Sequence, residues 1–312
     1  MHHHDHGSPG HHHDHRGTGA RLKLSLLVTV IFIVVEFIGG LQAQSLALLS
    51  DAGHNVTDAL ALLLAWFAYY AETRPPNETK TYGYQRAGVL SAFVNALGLI
   101  VLSGFIFYES YARLKAPPAV NEGIMIGVAG VGFFMNLGIV LSLRAASQGD
   151  LNIRSAVIHQ FGDAVGSIGI IIGGVLIAWT GAHWIDPVLS ILIGLLILWT
   201  ARDIIQESLN ILLEGLPKGL RLEAVTGAMR EVPGVNDVHD IHIWSLASHS
   251  HALSCHVLID DLPPSSSEAI LRCVNDMLEQ RFQITHTTLQ FEHVGCEISE
   301  AGCAAVRVER RT

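Results

Sequence analysis

Two stretches of an otherwise apolar sequence carry the same pair of metal-ligating side chains at the same spacing, His54-x3-Asp58 and His159-x3-Asp163. Residues four apart lie on one helix face, so each motif sets an imidazole beside a carboxylate one turn away. Two imidazoles and two carboxylates form a tetrahedral N2O2 donor set suited to Zn2+ or Co2+. Such ligands bind metal as neutral imidazole and ionised carboxylate, so protons displace metal and metal displaces protons. Histidine titrates near neutrality, which lets a modest pH difference change occupancy. The competing account is that each His and Asp satisfies a polar packing contact between helices. One buried histidine would fit that account. Two copies of one spacing favour metal, because each ionisable group costs about 2.5–3.5 kcal/mol or more in lipid. Asp51 shares the His54 face one turn away, where an outer ligand, a proton acceptor and a polar contact all remain open. Glu36 and Asn136 are weaker candidates for the cavity wall.

The elements that must hold these groups are membrane spans. The 312 residues are 50% hydrophobic and only 15% charged, with a mean hydropathy of +0.39. A soluble chain carries about 25% charged residues. A disordered, collagen-like or small disulfide-stapled chain is excluded, and an ordinary cytosolic enzyme is disfavoured. The 30 glycines suit membrane helices. A net charge of −9 and a pI near 6.0 argue against a nucleic-acid partner. Six apolar stretches approach the ~20 residues a crossing needs: Leu24–Leu41, Leu46–Ala71, Ala87–Tyr108, Ile124–Leu143, Ala156–Thr180 and Ile185–Ala201. The first is too long for a cleavable signal and has no small-residue cleavage site. Arg16, Arg21, Lys23, Arg74, Lys80, Arg86, Arg144 and Arg154 fall on one side and Arg113 and Lys115 on the other, which puts both termini in the cytoplasm. Spans two and five then run antiparallel. At 1.5 Å per residue His54 and Asp58 lie roughly 13 and 20 Å below the outer surface. His159 and Asp163 lie roughly 17 and 11 Å below it, so the four converge near mid-membrane.

After Ser208 the chain changes character, with 14 acidic and 8 basic residues in 208–312. Alternation and punctuation predict a helix at Gly219–Val232, strands at Val235–Trp244 and His251–Ile259, a helix at Ser265–Arg281 opened by a Ser-rich cap, and a strand at Ile284–Phe291. An αββαβ order suits a cytosolic ferredoxin-like α+β domain following the six transmembrane helices. The expected division is a disordered His-rich segment 1–21, a membrane domain 22–207, a cytosolic domain 208–294 and a tail 295–312. Eight of the 18 histidines lie in the first fifteen residues. An expression tag would explain them, but Asp5 and Asp14 interrupt two similar blocks, which favours a low-affinity metal collector. Cys255, Cys273, Cys296 and Cys303 are expected as reduced thiols.

The run from Ser45 through His54 to Asp58, with His159-x3-Asp163, Tyr82-Gly-Tyr84-x-Arg86 and Val238-His-Asp-Ile-His-Ile-Trp244, resembles the cation diffusion facilitator family over about Leu22–Glu292. Within the family the likeness is to bacterial zinc/cobalt/cadmium exporters. The resemblance implies a homodimer in the bacterial inner membrane, surrounded by lipid, that is a secondary transporter and not an enzyme. It also implies export of divalent cations against incoming H+ by alternating access, with His54 marking zinc. In the cytosolic domain it maps metal ligands onto His239, His256, His286 and Glu292, forming one or two sites, with Asp240 as a neighbouring candidate. The competing account there is ordinary surface histidines. His249, His251, His293, Cys296 and Cys303 are further ligand types with no fixed geometry. Strand alternation turns His242 and Trp244 away from His239, towards packing.

Family members with a further site between spans two and three build it from His and Asp. Residues Glu72–Gly83 hold neither, so no such site is expected. Nor is there a His-rich insert between spans four and five. Gly123-x3-Gly127 and Gly169-x3-Gly173 are read as close helix packing. Arg74, Lys80, Arg86, Asp203 and Glu207 are candidates for ion pairs. A membrane metalloprotease would need His-Glu-x-x-His, and the dipeptide His-Glu does not occur. A metal sensor that signals without transport is the other alternative.

Overall fold

The structure, a computed structural model, describes residues 15–144, 151–247 and 250–293. The expectations for the first fourteen residues, for His249, for Cys296 and Cys303 and for the rest of the tail lie outside them. Six long helices come first: α1 (His15–Ala43), α2 (Leu46–Glu72), α3 (Ala87–Lys115), α4 (Glu122–Leu143), α5 (Leu151–Thr180) and α6 (Ile185–Leu212). Helices α3, α4, α5 from Ala156, and α6 are long and apolar enough to cross a membrane, with mean hydropathies of 2.2, 2.2, 1.9 and 2.0. The described apolar part of α1 is shorter, Leu27–Ala43. In α2 the polar residues Ser50, Asp51, His54, Asn55 and Asp58 dilute the apolar run. Large side chains point outward along these helices, Trp179 at 84% exposure and Phe134 at 72%. Such surfaces are stable against lipid, where helices satisfy their own backbone groups. The protein is a multi-pass membrane protein.

The chain forms two compact units. One gathers residues up to Ala59 with Gly98–Trp199, the other Leu60–Leu97 with the chain from Thr200 onward. In the first unit Ala43, Ala47, Leu48, Val120, Met125, Ala129, Ile170 and Ile177 form the core. Close approach depends on glycine at several points, Gly132 and Gly173 among them. A Cβ on Gly132 would stand 2.6 Å from the Phe32 ring, and one on Gly173 would collide with Leu189. The packing expected of Gly169-x3-Gly173 therefore holds at Gly173. At Gly123-x3-Gly127 no helix of the same chain comes close among the described residues: a Cβ on Gly127 would meet nothing within 4 Å, and one on Gly123 only Asn121, the N-cap of its own helix.

A buried carboxylate fastens the start of α2. Asp186, in the first turn of α6 and 0% exposed, accepts from Ser45 Oγ (2.6 Å), Leu46 N (2.7 Å) and Ala47 N (3.2 Å). Ser45 Oγ in turn accepts from Leu48 N at 3.2 Å. These contacts satisfy amides that a helix N-terminus leaves unpaired, and they place negative charge at its positive end. The two basic residues on the minority side are locally engaged. Arg113 donates to Glu109 (2.8 Å) and to the carbonyl of Gln44 (2.7 Å), and Lys115 lies 4.2 Å over the Tyr111 ring.

In the second unit α7 (Leu222–Arg230), β1 (Asp237–Ala247), β2 (Ser250–Leu258), α8 (Pro264–Phe282) and β3 (Ile284–Glu292) follow in that order. The sheet runs β1-β2-β3, with β1 antiparallel to β2 and β2 parallel to β3. One sheet face supplies Val238, Ile243, Leu253, Cys255 and Val257 to a core shared with Val225 and Met229 of α7 and Val274 and Leu278 of α8. The expected serine cap of α8 is absent. The helix starts at Pro264, whose missing N–H is one the first turn leaves unpaired anyway, and no side chain caps it. A second correction concerns β1. A bulge between His239 and His242 adds a residue, with Asp240 at φ +49°. His239 pairs with His256 and His242 with Ser254, so His239, His242 and Trp244 share the face opposite the core. Strict alternation fails because the bulge resets it.

Two outcomes follow from this packing. Asp186→Ala strands buried donors worth about 1–3 kcal/mol each. Its thermal unfolding midpoint in detergent is expected to drop clearly, and that of Asp186→Asn, which keeps an acceptor oxygen, to drop less; equal midpoints would contradict the cap. Burial, with the charge of Asp240 adding to it, pushes the Cys255 thiol up to about 12. Maleimide should therefore modify the exposed Cys273 in the folded protein and Cys255 only after unfolding, read by peptide mass mapping.

Candidate metal sites

Within the first unit the side chains of the two His-x3-Asp motifs form a run of close contacts. Asp58 Oδ2 lies 3.5 Å from His54 Nε2 on its own helix and 3.1 Å from His159 Nε2 of α5. His159 Nε2 is in turn 3.7 Å from Asp163 Oδ2. The two imidazole rings stand edge to face with centroids 6.1 Å apart. Bonds of roughly 2.0–2.1 Å at tetrahedral angles set donors about 3.3 Å apart; the three successive pairs lie near that spacing, but no three of the four residues bring ligand atoms all within 4.8 Å of one another. Glu36 of α1 is 1% exposed and accepts from Asn55 Nδ2 at 3.0 Å, with Asp51 of α2 beside it. Asn136, 4% exposed, sits on the buried face of α4.

The sheet carries a second cluster. His239 and His256 are opposite each other on β1 and β2, with ring centroids 5.4 Å apart. Glu292, at the end of β3, places Oε2 3.1 Å from His239 Nε2 and Oε1 2.9 Å from His256 Nδ1. One ligand atom from each of these three lies within 4.8 Å of the others. His286 does not join them. It pairs in register with Ala252, four β2 residues or about 13 Å from His256, and its ring stands 5.2 Å from Tyr82.

Unsatisfied polar atoms single out both clusters. Among the described residues, seven buried side-chain atoms lack a hydrogen-bond partner. Four of them are His54 Nδ1, Asp58 Oδ2, His239 Nε2 and Glu292 Oε2. Buried polar groups are nearly always bonded, so such a concentration calls for a ligand. A cation would satisfy the carboxylate oxygens and the imidazole lone pairs together.

Other expectations resolve locally. Arg86 pairs with Glu214 (3.1 Å) and Lys218 with Glu207 (3.7 Å), while Arg74 and Lys80 lie over Tyr70 and Tyr84. His251 stands 3.2 Å from Ser245, and His293 faces the carbonyl of Asp260 at 3.1 Å. The pairing of His242 Nε2 with Asp240 Oδ1 at 3.2 Å was hidden by the alternation argument. Its only sequence signal is the spacing Asp-x-His.

The chain matches the cation efflux transmembrane domain over residues 22–213 and the cytoplasmic domain of cation efflux proteins over 217–294. It is 39% identical to the metal cation efflux system protein CzcD of Cupriavidus metallidurans, covering 96% of this chain and 92% of that one. It is 36% identical to the cadmium, cobalt and zinc/H(+)-K(+) antiporter of Bacillus subtilis, covering 91% and 92%. Zinc transporter ZitB of Escherichia coli is 38% identical, covering 94% and 93%. With both parts of the chain matching cation efflux domains, and relatives named as efflux systems aligned over nearly its whole length, this is a metal exporter: the chain belongs to the cation diffusion facilitator (cation efflux) family.

Proposed function

We propose that the protein exports Zn2+, and with it Co2+ and Cd2+, from the cytoplasm in exchange for protons, by alternating access around His54, Asp58, His159 and Asp163. In this reading all six long helices cross the bacterial inner membrane, both termini are cytosolic, and two copies associate through a ferredoxin-like domain at 208–294. His239, His256 and Glu292 hold a regulatory cation there, with His286 outside the set. The observation that carries the reading is the meeting of two His-x3-Asp motifs from different helices, at separations of 3.1–3.7 Å. The relatives named for zinc, cobalt and cadmium support the cargo, and one named as an H(+)-linked antiporter supports the exchange.

The mechanism follows from the donor chemistry. On the cytoplasmic side neutral imidazoles and ionised carboxylates strip water from the cation and bind it. On the outer side, protons compete for the same nitrogens and oxygens and release it. Metal occupancy therefore falls as pH falls through the histidine range. A site open to both sides at once would be a channel, so exchange requires that the helices expose it to one side at a time.

Zinc flux into inverted or reconstituted vesicles under an imposed pH gradient tests this. The native chain is expected to take up zinc in proportion to the gradient, and His54→Ala and Asp163→Ala to lose uptake. Gradient-driven flux in either variant would refute the site, and binding without flux in the native chain would favour a sensor. His54→Asp replaces a nitrogen donor with oxygen and is expected to change the ratio of Cd2+ to Zn2+ flux towards Cd2+. An unchanged ratio would refute the role of His54 in selectivity.

A further inference from the structure

Asp240 is a non-glycine residue at φ +49° inside the β1 bulge, in the left-handed region that few L-residues adopt. The bulge brings its carboxylate between two imidazoles. Oδ1 lies 3.2 Å from His242 Nε2, and Oδ2 lies 3.9 Å from His256 Nε2. His256 thus faces a carboxylate at each ring nitrogen, since Glu292 Oε1 is 2.9 Å from Nδ1. The side chains run His239, Glu292, His256, Asp240, His242 as one alternating series of imidazole and carboxylate.

A neutral imidazole offers a lone pair at one nitrogen and an N–H at the other. A histidine that ligates metal almost always gives its second N–H to a carboxylate or carbonyl, which fixes the tautomer and the ring orientation and raises the basicity of the ligand. Nδ1 of His256 faces the cluster with His239 and Glu292, so the N–H belongs on Nε2, where Asp240 faces it. We propose that Asp240 is a positioning residue for the cytosolic cation site. It holds His256 as the Nε2–H tautomer and leaves Nδ1 for a divalent cation, while His242 pins the other oxygen of the same carboxylate. This deepens the cytosolic site proposed above and rests on it. The 3.9 Å separation is too long for a hydrogen bond, so the proposal requires it to close when a cation draws His256 into place. Function then accounts for the strained backbone, which aims the carboxylate.

Glycine adopts positive φ without penalty, so Asp240→Gly removes the carboxylate and keeps the bulge. Asp240→Asn keeps an oxygen that accepts an N–H but is a poor zinc ligand. Zinc titration calorimetry on the full-length protein in detergent, with Glu292→Ala defining the cytosolic site, separates the cases. Asp240→Gly is expected to weaken zinc at that site about 10–100-fold with no loss in thermal midpoint. Asp240→Asn should retain most of the affinity, and His242→Ala should fall between. Unchanged affinity in Asp240→Gly would overturn the proposal. So would Asn as weak as Gly, which would make the carboxylate itself a ligand. If Glu292→Ala bound as many ions as the native chain, the cytosolic site would itself be wrong, and the role of Asp240 would fall with it.

Discussion

An ionisable group inside an apolar bundle has to be satisfied by another such group or by a ligand, and that constraint organises this molecule. His54 and Asp58 are fixed on α2, and only a partner helix with complementary groups at the same level can accept them. The second His-x3-Asp motif, on α5, supplies those groups, and Asp58 Oδ2 stands between imidazoles of both helices. The rest of the first unit fixes that meeting. The Asp186 carboxylate fastens the N-terminus of α2, while α4 packs against α5 and against α1 through contacts as close as Gly132 to Phe32. A helix anchored at one end cannot slide or turn its ligand face freely.

The sheet domain builds a similar donor set by different geometry. Helices bring ligands together at i and i+4, whereas strands bring them together across a ladder. His239 and His256 face each other because their strands are in register, and Glu292 reaches both from the end of β3. In both clusters, among the described residues, buried oxygens and nitrogens stand at ion-pair distance from one another without completing a hydrogen bond.

Much of this was legible in the sequence, for reasons that differ by residue. The helices announce themselves through apolar length, and the His-Asp pairs that meet between α2 and α5 through a repeated spacing. The strands of the second unit follow from alternation, and their order was correct. What alternation cannot reveal is a bulge. One extra residue at Asp240 turned His242 onto the face of His239, and nothing in the local composition marks that shift. Small-residue spacing was equally ambiguous. Gly173 meets Leu189 closely, but Gly127 has open space beside it, because what a helix face meets is decided by the neighbouring helix and not by its own sequence. The role of Asp186 was invisible for the same reason: it caps a helix that begins 140 residues away.

The account stands or falls on a single tetrahedral N2O2 ion between α2 and α5. The most direct measurement is the absorption and X-ray absorption spectrum of Co2+ bound to protein whose His-rich first fifteen residues are removed and whose His239, His256 and Glu292 are changed to Ala. The account predicts one ion per chain with an intense tetrahedral d–d band and a shell of two imidazole nitrogens and two oxygens. A weak octahedral band, an all-oxygen shell, or no bound ion would contradict it.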